Sequence, residues 1–270
     1  MPMDYKKLRS NADHSVVTPW IGPSGASSTL GVTEVGEPTA AELNNTGGVS
    51  GMVMAAKAIS WDDWDFGIQE SETNSQPSMA DVSTYEEFGQ FNFGGGISFF
   101  QPRENDDPSN VMSVVKDLTK VDLDQDIATR IDGDKPVTQP AADGDYVSVY
   151  RTTAVAMANP FTPGESKRRT VTFSSAEDFA YYTVVGEHVL TPVETGNTYA
   201  VGEKRRIRIE VQGREFTNYT GLRWTSSNPE VIDIHPGGFY EITGAGTATV
   251  TVEDEDAGTS VEIEITSASV

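Results

Sequence analysis

Short runs in which hydrophobic and polar residues alternate recur along most of this chain. From Trp64 to Ile68, for example, large apolar residues alternate with Asp65 and Gly67. Because successive side chains of a strand point to opposite faces, this period of two indicates strands with one buried face. Similar runs predict further strands at residues 146–150, 170–173 and 181–185. The first two thirds of the chain should therefore form a β-rich domain.

A run of three glycines, Gly94–Gly96, interrupts the apolar segment from Phe91 to Phe100. Glycine inside a strand pattern often marks a bend or a bulge. We therefore expect a strand here that is broken at its glycines.

One segment has the period of a helix. Val111, Val114, Val115 and Leu118 follow one another at i, i+3, i+4 and i+7, which places them on one apolar stripe. Ser109 precedes this stripe in the position of an N-terminal cap. The sequence therefore predicts one helix packed against the β-rich domain.

Two segments are too polar to pack into a core. The first is an arm from residue 1 to about residue 30, rich in small residues and expected to be flexible. The second is the stretch Gln69–Ser78, and a loop of that length inside a domain is usually functional or mobile. Its polar residues are Gln69, Glu70, Glu72, Asn74 and Gln76.

The last third of the chain alternates most regularly. Apolar and polar residues alternate over 206–211, 247–252 and 261–265, and turn-forming residues separate these runs. Short strands at close spacing are typical of a β-sandwich. Trp224, between Arg223 and Thr225, is the candidate aromatic residue of its core.

Two motifs in this part of the chain resemble the bacterial immunoglobulin-like group 2 module. Residues 222–231 read LRWTSSNPEV, and residues 242–250 read ITGAGTATV after a turn at Gly237–Gly238. That family has the pattern W-x-S-S-x-P-x-V, a glycine turn and then G-x-A-x-V/I. The resemblance implies an immunoglobulin-like sandwich over residues 187–270 that acts as a carrier or adhesive module, found on phage virion proteins and on bacterial surface proteins.

The formal charge of −22 is the largest deviation in composition, and both parts of the chain share it. Residues 1–186 carry a net −14 and residues 187–270 a net −8. Such a surface repels nucleic acid and anionic membranes. Two interpretations stay open: the charge serves solubility, or it keeps a surface close to DNA without holding it. The absence of cysteine fits a reducing cytoplasm, and we expect neither a secretory signal nor a membrane span.

No catalytic, cofactor or metal site can be assembled from the sequence. His14, His188 and His235 lie far apart, and we interpret each as a surface or turn histidine. The chain also has no G-x-S-x-G nucleophile motif. An enzyme is therefore the least favoured class.

Two charged segments resemble binding sites, one for calcium and one for DNA, but we interpret neither as such a site. Asp122–Asp126 begins like a calcium loop, but Ile127 and Gly133 occupy the positions of the required glycine and glutamate. We interpret it as a solvated acidic turn after the helix. Lys167–Arg169 is interpreted as a solvated strand edge or a salt bridge to a neighbouring subunit, rather than a DNA site.

The layout of the whole chain resembles the major tail tube protein of long, non-contractile-tailed bacteriophages. The features that carry this resemblance are the acidic β-rich domain of residues 1–186, its single helix, its long polar loop, its arm and the appended module. The resemblance implies a mainly β fold, a β-barrel or sandwich with one flanking helix, and no cofactor. It also implies subunits that close into rings, hexameric by expectation, by joining strands side by side.

Stacking of such rings through loops and arms would form the tube through which the genome enters the host. Other tail proteins (tape measure, tail terminator, baseplate or distal tail proteins) would be its partners. Double-stranded DNA would pass without being held, no membrane would be bound, and the tail would be assembled in the host cytoplasm. The main alternative is an adhesive or surface-display protein that binds carbohydrate or cell wall through the immunoglobulin-like module, and a head decoration protein is a third.

Part of the acidic excess is a candidate for the lining of a lumen. Asp63 and Asp65 share one parity while Trp64, Phe66 and Ile68 share the other, so a strand places the two groups on opposite faces. Asp62 joins these carboxylates only if a bulge intervenes. The alternative is a solvated outer face.

Overall fold

The computed structural model describes residues 18–26, 30–45, 51–68, 73–74, 87–88, 93–103, 107, 109–130, 135–160, 163–164, 166–174, 176–193 and 198–268. Strands dominate this part of the chain and helices are few, so the prediction of a mainly β fold is confirmed. The N-terminal arm lies mostly outside the described residues. We refer to residues 18–186 as the N-terminal unit and to residues 187–268 as the C-terminal unit.

The N-terminal unit contains ten strands. They are β1 (Thr18–Pro23), β2 (Val53–Met54), β3 (Ile59–Ile68), β4 (Thr73–Asn74), β5 (Glu87–Phe88), β6 (Phe93–Phe100), β7 (Asp124–Arg130), β8 (Tyr146–Ala158), β9 (Arg168–Phe173) and β10 (Asp178–Val184). Eight of them form one antiparallel sheet in the order β2-β1-β7-β8-β9-β6-β3, with β10 also paired to β8. The strands predicted at 64–68, 146–150, 170–173 and 181–185 lie within β3, β8, β9 and β10.

Strand β8 joins two halves of this sheet. Its first half pairs with β7 and β10, whereas Ala154–Ala158 pair with β9, with a register shift after Ala154. Ile97 from β6 and Val171 from β9 are fully buried in the core of the second half. Strands β8, β9, β6 and β3 therefore form a four-stranded half-sheet over its own core.

The predicted helix is confirmed as α2 (Val111–Leu118), which buries Val115 against the half-sheet. Its N-terminal cap is Asn110, whose side-chain oxygen accepts the Met112 amide at 3.1 Å. The prediction that Ser109 caps the helix was wrong, because the Ser109 hydroxyl donates to Asp107 instead.

A short helix, α1 (Ala40–Leu43), was not anticipated from the sequence. Thr39 accepts the amide of Glu42, and Glu42 in turn accepts the amide of Thr39. This reciprocal capping box satisfies two donors that a helix start leaves free. The three-residue spacing of Thr39 and Glu42 is the sequence pattern of a capping box, and it could have predicted the start of this helix.

The three glycines of β6 do not interrupt it. Gly94, Gly95 and Gly96 pair in continuous register with Gly67, Phe66 and Asp65 of β3, so the predicted bend or bulge was wrong. Because glycine tolerates the φ of 128° found at Gly95, the strand continues through this residue without a bulge. The register shift lies on the opposite strand, between Ile59 and Trp64.

The C-terminal unit consists of three small sheets. Its strands are β11 (Thr191–Pro192), β12 (Thr198–Ala200), β13 (Lys204–Arg206), β14 (Ile209–Val211), β15 (Arg214–Glu215), β16 (Leu222–Ser226), β17 (Ile232–Ile234), β18 (Phe239–Ile242), β19 (Gly246–Asp254) and β20 (Thr259–Ala268). Their orders are β11-β14-β15, β12-β20-β19-β16 and β13-β18-β17.

Two of the three regular alternations in this unit are confirmed as strands, within β19 and β20. The alternation over 206–211 instead divides into β13 and β14, which belong to different sheets. The chain leaves the first sheet where the Ile207 amide donates to the Gly238 carbonyl at 2.8 Å. A regular period therefore did not reveal where the strand ends.

Trp224 packs against the core of the C-terminal unit, but it is only half-buried. The fully buried side chains of this core are smaller, among them Ile209, Ile232 and Ile242. Buried apolar residues of both units belong to one contiguous cluster.

Candidate assembly surfaces

The four-stranded half-sheet has two open ends. Strand β3 is the last strand of the sheet, and no described strand pairs with its outer edge. At the other end, β7 pairs with β8 only as far as Thr153. Beyond that point Val155–Ala158 have described strand partners only on the β9 side. Each end therefore offers backbone groups to another strand.

The end of β8 is also apolar and exposed. All four residues of Val155–Ala158 are exposed, with Val155 at 50% and Met157 at 42%. Leu123 is also exposed, and its backbone lies next to the start of this segment, because its carbonyl accepts the Ala154 amide at 3.2 Å. We call Leu123 and Val155–Ala158 the β8 patch. Strand residues normally bury alternate side chains, so a strand end exposed on both faces indicates a surface for a partner.

The three candidate lumen residues lie on the opposite end, in β3. Trp64 and Phe66 face the core, as the parity argument requires, and Phe66 makes edge-to-face contacts with Phe173 at 5.5 Å. The side chains of Asp62, Asp63 and Asp65 are outside the described residues. The backbone of Asp65 pairs with Gly96, whereas Asp62 and Asp63 fall within the register shift.

The polar loop predicted at Gln69–Ser78 belongs to a hairpin between β3 and β6. Asn74 lies in β4, which pairs with β5 as a two-stranded ribbon. Gln69, Glu70, Glu72 and Gln76 lie outside the described residues. Residues 69–92 carry five acidic and no basic residues, so this hairpin adds to the acidic character of the half-sheet.

The acidic segment after α2 is not the solvated turn that the sequence suggested. Only Asp122 lies in a turn, β7 begins at Asp124, and Asp126 lies fully buried in β7. Its carboxylate accepts the amides of Gly25 and Val32 and the Arg151 guanidinium at 3.0 Å. Burial raises the pKa of Asp126 above its usual value, although these hydrogen bonds and the charge of Arg151 oppose the shift.

The basic run Lys167–Arg169 also differs from its interpretation as a solvated edge. Strand β9, which begins at Arg168, is paired on both sides, to β8 and β6. Arg168 stacks over Phe100 at 5.6 Å, and Arg169 donates to the Lys116 carbonyl of α2. The half-buried Arg169 therefore links the helix to the half-sheet, the half-buried Arg168 packs within the half-sheet, and Lys167 is exposed.

His188 lies in the segment that connects the two units, residues 185–190, which we call the connector. Its interpretation as a surface or turn histidine was wrong, because the side chain is fully buried. One ring nitrogen contacts Asp254 of β19 and the other contacts the Val184 carbonyl. His235 is exposed as predicted, and His14 lies outside the described residues.

In the described part of the chain, no group of three or more His, Asp or Glu side chains is arranged to hold a metal ion. The same residues include no helix long and apolar enough to cross a membrane.

The comparison with protein families agrees with this geometry. The model of a family described as phage tail tube protein matches residues 25–188, which is more than half of the chain. No curated protein matches the chain. The matched region contains the half-sheet, its hairpin and α2, and it ends in the connector. The chain therefore belongs to the phage tail tube protein family, whose members are structural, self-assembling components of the virion tail.

Proposed function

We propose that this protein closes into rings that stack into the tail tube, the conduit for genome ejection. The observation that carries the proposal is the pair of open ends on the four-stranded half-sheet, β3 and the β8 patch. A contact between two different surfaces of identical subunits closes into a ring when the rotation between them is right. Six subunits in a ring is the number that the family resemblance implies.

Strand directions favour this contact. Every pairing from β8 through β9 and β6 to β3 is antiparallel, so the first and last strands of the half-sheet run in opposite directions. A simple rotation of one subunit therefore brings its β3 antiparallel to the end of β8 in the next. The contact would satisfy open backbone groups and cover Val155 and Met157, each worth about 1.5–3 kcal/mol when fully buried.

The inner surface of the ring follows from the same arrangement. Trp64 and Phe66 turn one face of β3 to the core, so the opposite face of the closed half-sheet would face the lumen. The period of two assigns Asp63 and Asp65 to that face. Duplex DNA has about one negative charge per 1.7 Å. An acidic lumen would release none of the counterions of the DNA, so it would not bind the DNA and would let it pass.

Stacking is assigned to the hairpin of residues 69–92. It connects the end of β3 to the start of β6, at one end of the half-sheet, where it would contact the next ring. Other tail proteins, such as a terminator and a distal tail protein, would meet the two ends of the stack, and a tape measure protein would fill the lumen during assembly.

The C-terminal unit is proposed to be an immunoglobulin-like sandwich on the outside of the tube. The supporting observations are its three antiparallel-rich sheets, its W-x-S-S-x-P-x-V segment and its position after the region that matches the family. An outward position would leave the ring contact of the N-terminal unit free.

The ring contact is tested by giving the β8 patch charges. Val155→Lys with Met157→Lys should yield folded subunits that do not assemble, because two cations would be buried at the strand contact. Val201→Lys is the matched control, since Val201 is 45% exposed on the C-terminal unit. Negative-stain imaging and sedimentation measure assembly, and circular dichroism checks the fold. Normal tubes from the double variant would show that β8 is not a ring contact.

A further inference from the structure

The ring of His188 is enclosed by hydrogen-bond acceptors. Its Nδ1 lies 2.7 Å from the Asp254 carboxylate, and its Nε2 lies 2.8 Å from the Val184 carbonyl. A neutral imidazole has one N–H and can donate only once. With Asp254 ionised, both contacts are therefore hydrogen bonds only when the ring carries two protons, as the imidazolium cation.

The charges around the ring favour this cation. The Asp254 carboxylate faces it directly, and Glu37 accepts the His188 backbone amide at 2.8 Å. Farther out, Asp256 accepts the Tyr219 hydroxyl at 2.6 Å, and no described lysine or arginine pairs with these groups. Burial lowers the pKa of His188, but the hydrogen bonds and charges of its partners outweigh burial and raise it above its ordinary value.

These partners come from both units. Glu37 and Val184 belong to the N-terminal unit, whereas Asp254 ends β19 of the C-terminal unit. The contact around them is close, because a Cβ added to Gly36 would lie 2.2 Å from the Cβ of Asp256. An additional bond between the units is donated by the Tyr146 hydroxyl to the Glu215 carbonyl.

We propose that His188 is a proton-dependent latch: its imidazolium fixes the C-terminal unit in one orientation on the N-terminal unit, and loss of a proton loosens that contact. The C-terminal unit is then a rigid extension of the tail tube subunit rather than a domain on a free tether. This inference concerns the junction of the two units and is independent of the ring contact proposed above.

The direction of the pH dependence follows from the raised pKa. The latch stabilises the contact between the units fully at pH values below the unfolded-state histidine pKa of about 6.5. This stabilisation is lost as the pH rises through the higher pKa that His188 has in the folded protein. A neutral ring would leave either Asp254 or the Val184 carbonyl without its donor.

Nuclear magnetic resonance of ¹⁵N-histidine-labelled full-length protein tests the protonation state. The chain has three histidines, so the spectrum is simple, and a His188→Asn variant assigns the His188 signals. At about pH 6.5, the ordinary histidine pKa, both ring nitrogens of His188 should be protonated in most molecules, because its pKa is raised above that value. A neutral His188 ring at that pH would overturn the proposal.

Hydrogen exchange tests the mechanical role. The amide of His188 donates to Glu37 across the junction, and the amide of Gly186, at the end of the N-terminal unit, donates to Pro38 beside it. In Asp254→Asn, and in the wild type at the pH where the ring has lost its proton, their exchange, corrected for the pH dependence of the intrinsic exchange rate, should be roughly tenfold faster or more. Asp233→Asn, which removes the partner of exposed His235, is the matched control and should leave these amides unchanged. Unchanged exchange in both Asp254→Asn and the deprotonated wild type would show that His188 does not hold the units together.

Discussion

At the scale of single residues, buried polar side chains hold the loops of the N-terminal unit in place. Arg130 of β7 is fully buried and donates to the Asp145 carboxylate, the Thr18 hydroxyl and three backbone carbonyls. Its guanidinium also lies 5.5 Å from the ring centre of Trp20. A planar group with five donors suits such a set of oxygens, which a lysine would leave partly unpaired.

Replacing this arginine should be among the most damaging single changes. Arg130→Met should lower the free energy of unfolding by about 3–5 kcal/mol, because Asp145 loses its buried cationic partner and the carbonyls lose the donors that Arg130 supplies. Arg223→Met is the matched control, since Arg223 forms an exposed pair with Glu255, and it should change stability by about 0.5 kcal/mol or less. Urea denaturation measures both. Equal effects of the two variants would contradict the role given to Arg130.

At the scale of elements, the hairpin between β3 and β6 is the part whose removal should separate ring formation from stacking. Both flanking strands keep their pairing with each other through residues 64–68 and 93–97, so the half-sheet does not need the hairpin tip. The open ends of β3 and β8 also lie outside it.

Deleting Gln69–Ser78 should therefore leave a folded subunit that forms rings but no tubes. A second variant, with the same residues replaced by an equally long glycine–serine segment, distinguishes the loss of specific side chains from the loss of length. Electron microscopy of both proteins measures the assembly. Tubes of normal length from the deletion variant would remove the hairpin from the stacking contact.

At the scale of the whole molecule, the acidic charge is concentrated in the part assigned to the lumen. Residues 62–143 carry 18 acidic and 5 basic residues. A buried pair accounts for one of these carboxylates, since Asp126 is bonded to Arg151 inside the protein. The lumen assignment therefore depends on residues such as Asp63 and Asp65, which lie on the edge strand β3.

Replacing Asp63 and Asp65 by lysine should slow genome passage without preventing tail assembly. Attraction between the new cations and phosphate should be strongest at low salt, where screening extends over about 30 Å rather than about 10 Å. The rate of DNA ejection from tails that contain the variant, measured at low and high salt, checks this. If tails with the variant eject DNA at low salt as fast as wild-type tails do, these two residues lie outside the lumen.

The sequence by itself determined the mainly β class, the helix α2 and the strands β19 and β20, because local period and turn chemistry carry these features. The resemblance to tail tube proteins was also confirmed, from layout alone. Of the assembly surfaces proposed above, the hairpin and β3 were already predicted from the sequence, whereas the β8 patch was not. Val155 and Met157 alternate with small residues as in any strand, and nothing local shows that β7 stops pairing before them.

Only the tertiary structure decided which polar residues are buried. Asp126, Arg130 and His188 have sequence neighbours typical of a surface, yet distant segments supply their partners: Gly25 and Val32 for Asp126, and Asp254 for His188. Burial of a charge depends on whether the fold delivers hydrogen-bond partners to it, and local sequence does not contain that information. The junction between the two units was invisible for the same reason, since it is built from residues more than sixty positions apart.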